Sequence, residues 1–201
     1  LPRLHFSNIS AEASVGLIRQ AKQKGLPVSC DVAAHHLLFT DEDLADFDTN
    51  LRLDPPVRTR EDQMALIVGL QDGTIDAIVS SHQPHDEEQK KCEFDLAAFG
   101  MTGLQTVFPI INSVLSQDLP LEFFLEKISS VPRSLLRLDM PEIREGAMAD
   151  LTLFDPNARW KLNHQTNRSR SRNTPFWGKE LNGRVYGTFY RDKYWTDTDN
   201  E

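Results

Sequence analysis

Cysteine is scarce in this chain of 201 residues, which contains only Cys30 and Cys92. Two cysteines cannot form a disulfide framework, so they indicate a reducing compartment and a cytoplasmic protein. Long apolar runs are absent too, since no segment approaches the ~18–20 residues that a membrane helix needs. Basic residues are outnumbered, 22 against 30 acidic ones, and the net charge of −8 argues against a general nucleic-acid-binding surface. We therefore expect neither a membrane nor a nucleic acid as a partner.

The overall composition is that of a globular protein. Hydrophobic residues make up 39% of the sequence and charged residues 26%, which excludes wholesale disorder. The chain begins with Leu1 and enters an apolar, β-compatible segment at once, which is an abrupt start for a complete protein. We therefore expect the C-terminal part of a longer chain.

The first part of the sequence alternates between strand and helix patterns. Short apolar runs predict strands at 3–8, 27–33 and 75–81. Apolar residues at helical spacing predict helices at 11–24 and 60–71. Ser10 is a candidate N-cap for the first helix, and Met64, Ile67 and Val68 are expected on the buried face of the second. This order of elements is the βαβ pattern of a parallel sheet.

The character of the sequence changes near Gly146. Before it, three segments have helical patterns, at 104–115, 120–129 and 132–138. After it, an alternating strand at 149–155 and a hairpin at 183–195 predict a small β-unit. The loop between these strands carries three arginines, Arg168, Arg170 and Arg172. They indicate either an anion or partner site or, as we favour, a solvated loop.

Histidines follow the predicted strands. His35 and His36 come after the second strand, and His82 and His85 come after the third. Because parallel strands of an α/β barrel bring their C-terminal ends together, this clustering indicates a metal or acid–base site. For a lone strand histidine such as His5, hydrogen bonding within the core is the favoured role.

Several motifs occur in an order that resembles a known family. In chain order they are DVAAHHLLFTDEDL, RLDPPVRTREDQMAL, SSHQPHDEEQK, FGMTGLQTVFP and ADLTLFDP. The series resembles the C-terminal half of the dihydroorotases of the amidohydrolase superfamily, and most closely the class that partners aspartate carbamoyltransferase. The resemblance implies an α/β fold, a (β/α)8 TIM barrel with an appended β-sandwich. Residues 1–145 would contribute barrel strands six to eight, and 146–201 the C-terminal strands of the sandwich.

The resemblance implies zinc chemistry at positions where this sequence has other residues. Active relatives hydrolyse or close a cyclic amide with one or two zinc ions, which lower the pKa of bound water. The family pattern Leu-His-x-x-His-x-Ser places Asn8 at a histidine ligand. The pattern Thr-Asp-His-Ala-Pro-His places Ser81 at the catalytic aspartate, and Gln83 at an alanine. An amide oxygen is a poor zinc ligand and a hydroxyl is no base near pH 7, so we expect neither a bound zinc nor a catalytic residue in this chain.

The resemblance also assigns residues to substrate binding. Asp54 replaces the asparagine of the family's Asn-Pro-Pro, where a carboxylate would repel an anionic substrate. His85 matches the histidine that holds the substrate carboxylate, and Gly100 lies in the matching Phe-Gly of the substrate loop. Gln105 stands where relatives often have glutamate, and Arg58 is expected to form a structural ion pair.

Three hypotheses about function remain open. The favoured one is a non-catalytic dihydroorotase-like protein that holds or regulates aspartate carbamoyltransferase. The alternative is an active cyclic-amide hydrolase whose altered metal site is completed by a missing N-terminal half. The third is a globular domain whose resemblance says nothing about its present role. In each case three barrel strands alone would expose apolar residues, such as Ile75 and Ile78, so we expect the complementary half-barrel or a second copy as a partner.

Overall fold

The chain folds as a mixed α/β structure, and the computed structural model describes residues 3–196. Its first part alternates strands and helices, as the sequence predicts: β1 (Leu4–Phe6), α1 (Glu12–Gln23), β2 (Val28–Ala33), α2 (Arg60–Gln71) and β3 (Ala77–Val79). The strands form one parallel sheet in the order β1-β2-β3. The predicted parallel βαβ arrangement is therefore confirmed.

The remaining elements are short helices followed by an antiparallel sheet. Three 3-10 helices follow β2, at Ala34–Leu37, Asp41–Leu44 and Thr49–Leu51. The helices after β3 are α3 (Glu87–Lys90), α4 (Val107–Leu115), α5 (Leu121–Ile128) and α6 (Ser130–Leu136). The second sheet contains β4 (Asp150–Lys161), β5 (Glu180–Tyr190) and β6 (Lys193–Thr196), in that order. None of the helices within 3–196 is long and apolar enough to cross a membrane.

The central strand β2 is the most buried part of the parallel sheet. Cys30 and Val32 are fully buried within it, and burial raises the pKa of the Cys30 thiol to about 11. Cys92 is exposed, and both cysteines are free thiols. Because an unreactive, protonated thiol behaves as a small apolar group, Cys30 acts as a core residue.

Helix α2 turns a different face to the core from the one expected. Met64 and Val68 are 44% and 46% exposed. The buried positions are Gln63, Leu66, Gly69 and Leu70. Gly69 allows α1 to pack closely, since a Cβ at this position would lie 3.0 Å from Cγ1 of Val15. The expected face was wrong for Met64 and Val68, whereas Ile67 is partly buried and packs against the core.

Helix α1 begins without the cap that the sequence suggests. Ala11 occupies the N-cap position, and its side chain makes no capping hydrogen bond. The buried Ser10 instead accepts a hydrogen bond from Nε of Arg58 at 3.0 Å. The partner of Arg58 in this contact is a neutral hydroxyl, and not the acidic group that the expected ion pair requires. The backbone N–H of Glu12 donates to Oδ1 of Asp62 at 2.7 Å. The first turn of α1 is thus capped from α2.

One open edge of the parallel sheet lies at β1. Leu4 and Phe6 are 53% and 41% exposed. The expected exposure of Ile75 and Ile78 was wrong, because both are buried. Helix α5 packs on β3, and Nζ of Lys127 donates to the carbonyl oxygen of Ile75 at 3.1 Å.

Candidate functional site

The turn after β1 is built around a buried carboxylate of β2. Asp31 accepts hydrogen bonds from Nε2 of His5 at 2.8 Å, from the Ser7 hydroxyl at 3.0 Å and from the backbone N–H of Asn8 at 2.6 Å. Charge-assisted bonds of this kind are stronger than neutral ones. Asn8 adopts a left-handed backbone conformation with φ of 55°. Its Oδ1 is buried and makes no hydrogen bond to any described residue.

The turn after β3 has the same kind of backbone but different partners. Ser81 also has a positive φ, of 44°. Nδ1 of the adjacent His82 accepts from the backbone N–H groups of Gly103 at 3.1 Å and Leu104 at 3.2 Å. Burial lowers the pKa of His82, which favours the neutral ring that this acceptor role requires. His82 therefore orders the loop at Gly103 and Leu104.

The two histidines after β2 form a buried pair. The rings of His35 and His36 lie 4.6 Å apart, and both residues are buried. Burial, with the neighbouring His36, lowers the pKa of His35 to about 3. Burial also lowers the pKa of His36, whose Nε2 lies 3.0 Å from the carbonyl oxygen of Pro55. Both imidazoles are therefore neutral near pH 7, and His36 holds the Pro55 loop.

The structure brings His85 and Gly100 together. Nε2 of His85 donates to the carbonyl oxygen of Phe99 at 2.7 Å, and its Nδ1 lies 2.8 Å from Oε1 of Gln89. The N–H of Gly100 donates to the carbonyl oxygen of Arg52 at 2.8 Å. Both ring nitrogens of His85 thus have partners within the chain. The exposed Asp54, two residues after Arg52, has no hydrogen bond to His85 or Gly100.

Two further residues, which the sequence did not indicate, hold the carbonyl oxygen of Gly100. Nζ of the buried Lys90 lies 2.9 Å from this oxygen, and Nδ2 of Asn173 lies 3.3 Å from it. Burial lowers the pKa of Lys90 to about 8. Asn173 comes from the segment between β4 and β5, more than seventy residues along the chain. No local sequence pattern could have indicated this contact.

Gln105 anchors the loop that carries the three arginines. Its Oε1 accepts from the backbone N–H of Arg168 at 2.9 Å, and its Nε2 donates to the carbonyl oxygen of Thr166 at 2.7 Å. A glutamate could accept the first bond but could not donate the second. Glutamine at position 105 therefore has a structural reason.

Two of the three arginines, Arg168 and Arg172, pack on aromatic rings. The guanidinium of Arg168 lies 5.3 Å from the ring centre of Trp195, and that of Arg172 lies 5.6 Å from Trp177. Arg172 also lies 3.9 Å from a carboxylate oxygen of Glu87. These contacts support the interpretation of a surface loop over a dedicated anion site.

The donor groups at Asn8 and Ser81 do not fit zinc. Within residues 3–196, no three or more His, Cys, Asp or Glu side chains are placed to hold a metal ion together. Asn8 and Ser81 offer an amide oxygen and a hydroxyl, whereas zinc prefers imidazole, thiolate and carboxylate ligands. Asp31, the nearest carboxylate to Asn8, is already bonded to three donors.

Several known proteins match this chain over most of its length. A dihydroorotase of Thermoanaerobacter sp. (strain X514) is 42% identical over 185 residues, which are 91% of this chain and 43% of the relative. A dihydroorotase of Chlorobaculum tepidum is 40% identical over 196 residues, 96% of this chain and 45% of the relative. This chain is similar to dihydroorotases. It spans less than half the length of the dihydroorotases that it matches. No protein-family model matches it.

Solved structures share the fold. The L-hydantoinase (dihydropyrimidinase) from Arthrobacter aurescens superposes with a TM-score of 0.85 at 28% identity, covering 96% of this chain and 44% of the hydantoinase. The inactive dihydroorotase-like domain of the Chaetomium thermophilum CAD-like multifunctional protein has a TM-score of 0.70 at 22% identity. The match covers 96% of this chain and 50% of that domain. The resemblance to dihydroorotases and to the wider amidohydrolases is therefore confirmed, and so is the mixed α/β class.

Proposed function

We propose that this chain is part of a dihydroorotase-like protein of pyrimidine biosynthesis that has lost catalysis. Its role is structural or regulatory, within an assembly that contains aspartate carbamoyltransferase. The observation that carries this proposal is the pair Asn8 and Ser81, which stand where the family pattern has a zinc-binding histidine and the catalytic aspartate. Ser81 can neither neutralise a metal ion nor accept a proton at neutral pH. The protein therefore lacks the base on which the parent reaction depends.

The proposal includes an architecture. Residues 1–145 supply strands six to eight of a (β/α)8 barrel, and residues 146–201 supply strands of the small β-sandwich. The parallel order β1-β2-β3 and the exposed edge at β1 support this assignment, because a further parallel strand can pair there. The strand ends then meet at the barrel mouth, with Asp54, His85 and Gly100 on its substrate side.

Two partners follow from the proposal. The complementary half-barrel, or a second copy, covers the β1 edge. Aspartate carbamoyltransferase is inferred from the family resemblance. The inactive dihydroorotase-like domain with the same fold is consistent with this, since it indicates that the fold persists without activity.

The alternative is an active cyclic-amide hydrolase with an altered metal site. In its favour, the similar dihydroorotases are more than twice as long as the matched segment, so further ligands can lie in the other half.

Metal content and turnover of the complete protein distinguish the two functions. We expect no zinc at this site and no turnover of dihydroorotate above background. Stoichiometric zinc together with turnover would establish the alternative.

Restoring the two side chains tests the assignment of these positions. In the complete protein, Asn8→His with Ser81→Asp should raise zinc affinity, because it restores an imidazole and a carboxylate. The exposed pair Asn157→His with Ser116→Asp is the matched control. Equal zinc binding by both double variants would mean that the positions were assigned wrongly or that the other ligands are also lost.

Sedimentation of the complete protein with aspartate carbamoyltransferase tests the assembly. A joint, faster-sedimenting species is expected. Independent sedimentation at micromolar concentrations of both proteins would remove aspartate carbamoyltransferase as the partner.

A further inference from the structure

A mostly apolar cavity of about 460 Å³ lies between α4 and the second sheet. Helix α4 contributes Val107, Phe108 and Pro109 to its lining, and the sheet contributes Trp160 of β4 and Trp195 of β6. This volume is in the range of small-molecule sites, which are lined mainly by apolar and aromatic side chains. Three aromatic rings in one lining suit a ligand that itself contains a ring.

Contacts within the chain fix the walls of this cavity. Nε1 of Trp160 donates to the carbonyl oxygen of Gly183 at 2.8 Å. Gly183 in turn packs against Phe108, since a Cβ on this glycine would lie 2.7 Å from Cε1 of the ring. Gln105, which also lines the cavity, holds the backbone of Arg168 in place. The cavity is therefore preformed, and a ligand needs little ordering of the chain in order to bind.

The charged side chains of the lining are basic. Arg184 of β5 and Arg168 both line the cavity, whereas no acidic side chain within residues 3–196 does. An arginine keeps its positive charge in proteins, so the lining favours a ligand with a negative group. Arg170 and Arg172 lie outside this lining, so the cavity is distinct from an anion site formed by the arginine loop as a whole.

His82 adds a hydrogen-bond donor to the lining. Its Nδ1 accepts from two backbone N–H groups, so the proton of the neutral ring lies on Nε2. Among the residues that the structure describes, none accepts a hydrogen bond from this N–H. A ligand oxygen can therefore accept from it.

We propose that this cavity binds a small aromatic anion, with its ring against the tryptophans and its negative group at Arg168 and Arg184. The inference is independent of the proposed loss of catalysis, because neither Asn8 nor Ser81 lines the cavity. His85 lies outside the lining too, so this site is separate from the one assigned to the substrate.

A matched pair of ligands tests the chemical class. Titration calorimetry of the complete protein compares 1-naphthylacetate with 1-naphthylacetamide, which has the same ring and a similar shape but no charge. The anion should bind at one site per chain, and about tenfold or more tightly than the amide. No binding of the anion, or equal affinities of the two ligands, would overturn the proposal.

Filling the cavity tests where the ligands bind. Thr188→Trp introduces a large ring from an exposed position of the lining, so it should weaken the binding of both ligands by about tenfold or more. Val185→Trp is a second filling variant from the same strand. Ser134→Trp, on the exposed surface of α6 and outside the lining, is the control and should bind as the parent does. Unchanged binding by the filling variants would place the ligand elsewhere and overturn the proposal.

Removing one charge tests the role of the arginines. Arg184→Gln should weaken the binding of the anion by about tenfold and leave that of the amide unchanged. The control Arg159→Gln removes an exposed arginine of β4 that lies outside the lining, and should change neither. If Arg184→Gln weakened both ligands equally or neither, the cavity would not select an anion, and the proposal would be wrong.

Discussion

The turns after β1 and β3 reach the same backbone geometry by different means. In each, the second residue beyond the strand has a positive φ, 55° at Asn8 and 44° at Ser81. The first turn is held by the carboxylate of Asp31 on the neighbouring strand. The second is held by bonds to a later loop, through His82 and the N–H of Gln83. In both, the neighbours maintain the left-handed turn, so the residue at its centre can change without loss of the turn.

The largest effect is expected at the first turn. Asp31→Ala should lower the free energy of unfolding by about 4 kcal/mol, because it removes the acceptor of His5, Ser7 and the N–H of Asn8 together. Urea unfolding measures the change. The exposed control Asp46→Ala should shift the free energy by less than about 0.5 kcal/mol. Similar losses for the two variants would mean that the first turn does not depend on Asp31.

The buried histidine pair, His35 and His36, follows β2, the strand that lies between β1 and β3. Since the pKa of His35 falls from 6.5 to about 3 on folding, the unfolded chain binds a proton first as the pH decreases. Stability should therefore be lost between about pH 6.5 and pH 3, by about 3 kcal/mol from pH 7 to pH 4. His35→Gln should remove this part of the pH dependence. If the stability of His35→Gln depended on pH as steeply as that of the exposed control His164→Gln, His35 would take up a proton in the folded protein as readily as in the unfolded chain.

A smaller effect is expected at the second turn. A Cβ at Gly103 would collide with the carbonyl oxygen of Ser80, which is backbone and cannot move aside. Gly103→Ala should therefore cost about 2 kcal/mol by urea unfolding. Gly16→Ala, where no atom lies within 4 Å of the added group, should instead stabilise α1 by about 0.5 kcal/mol. A neutral Gly103→Ala would show that the loop beside the second turn is loosely packed.

The smallest effect concerns the loop anchored by Gln105. Gln105→Glu should cost about 1 kcal/mol, because the carboxylate cannot donate to the carbonyl oxygen of Thr166. Gln165→Glu makes the same chemical change on the exposed surface of this loop and should be neutral. Chemical denaturation of the two variants checks this, and identical stabilities would remove the structural reason for a glutamine at position 105.

Local patterns predicted the elements but not what holds the site together. Helix α2 was predicted at its observed bounds, 60–71, although two of the three residues expected on its buried face are exposed. Asp31 was not singled out, because an acid in a short apolar strand has no local signal, and its partners His5 and Asn8 lie more than twenty residues away. The partners of Gln105 lie more than sixty residues away. Such contacts depend on the tertiary fold.

The resemblance supplied the positions of the candidate site, and the structure added its contacts. His85 and Gly100 were assigned together and lie in one hydrogen-bonded cluster. Asp54 was assigned with them but is exposed and bonded to neither. The exposure of Asp54 depends on the path of the loop after Arg52, and sequence motifs do not predict that path.

Asn173 has a consequence for how the chain loses its structure. It belongs to the segment of the second sheet, yet it bonds to the N–H of His85 and to the carbonyl oxygens of Gln83 and Gly100, and it is buried. Melting of the second sheet would leave these groups of the first part unpaired in its interior. The two parts should therefore unfold as one cooperative unit, with a single calorimetric transition, and a polypeptide ending at residue 145 should not reach the native state.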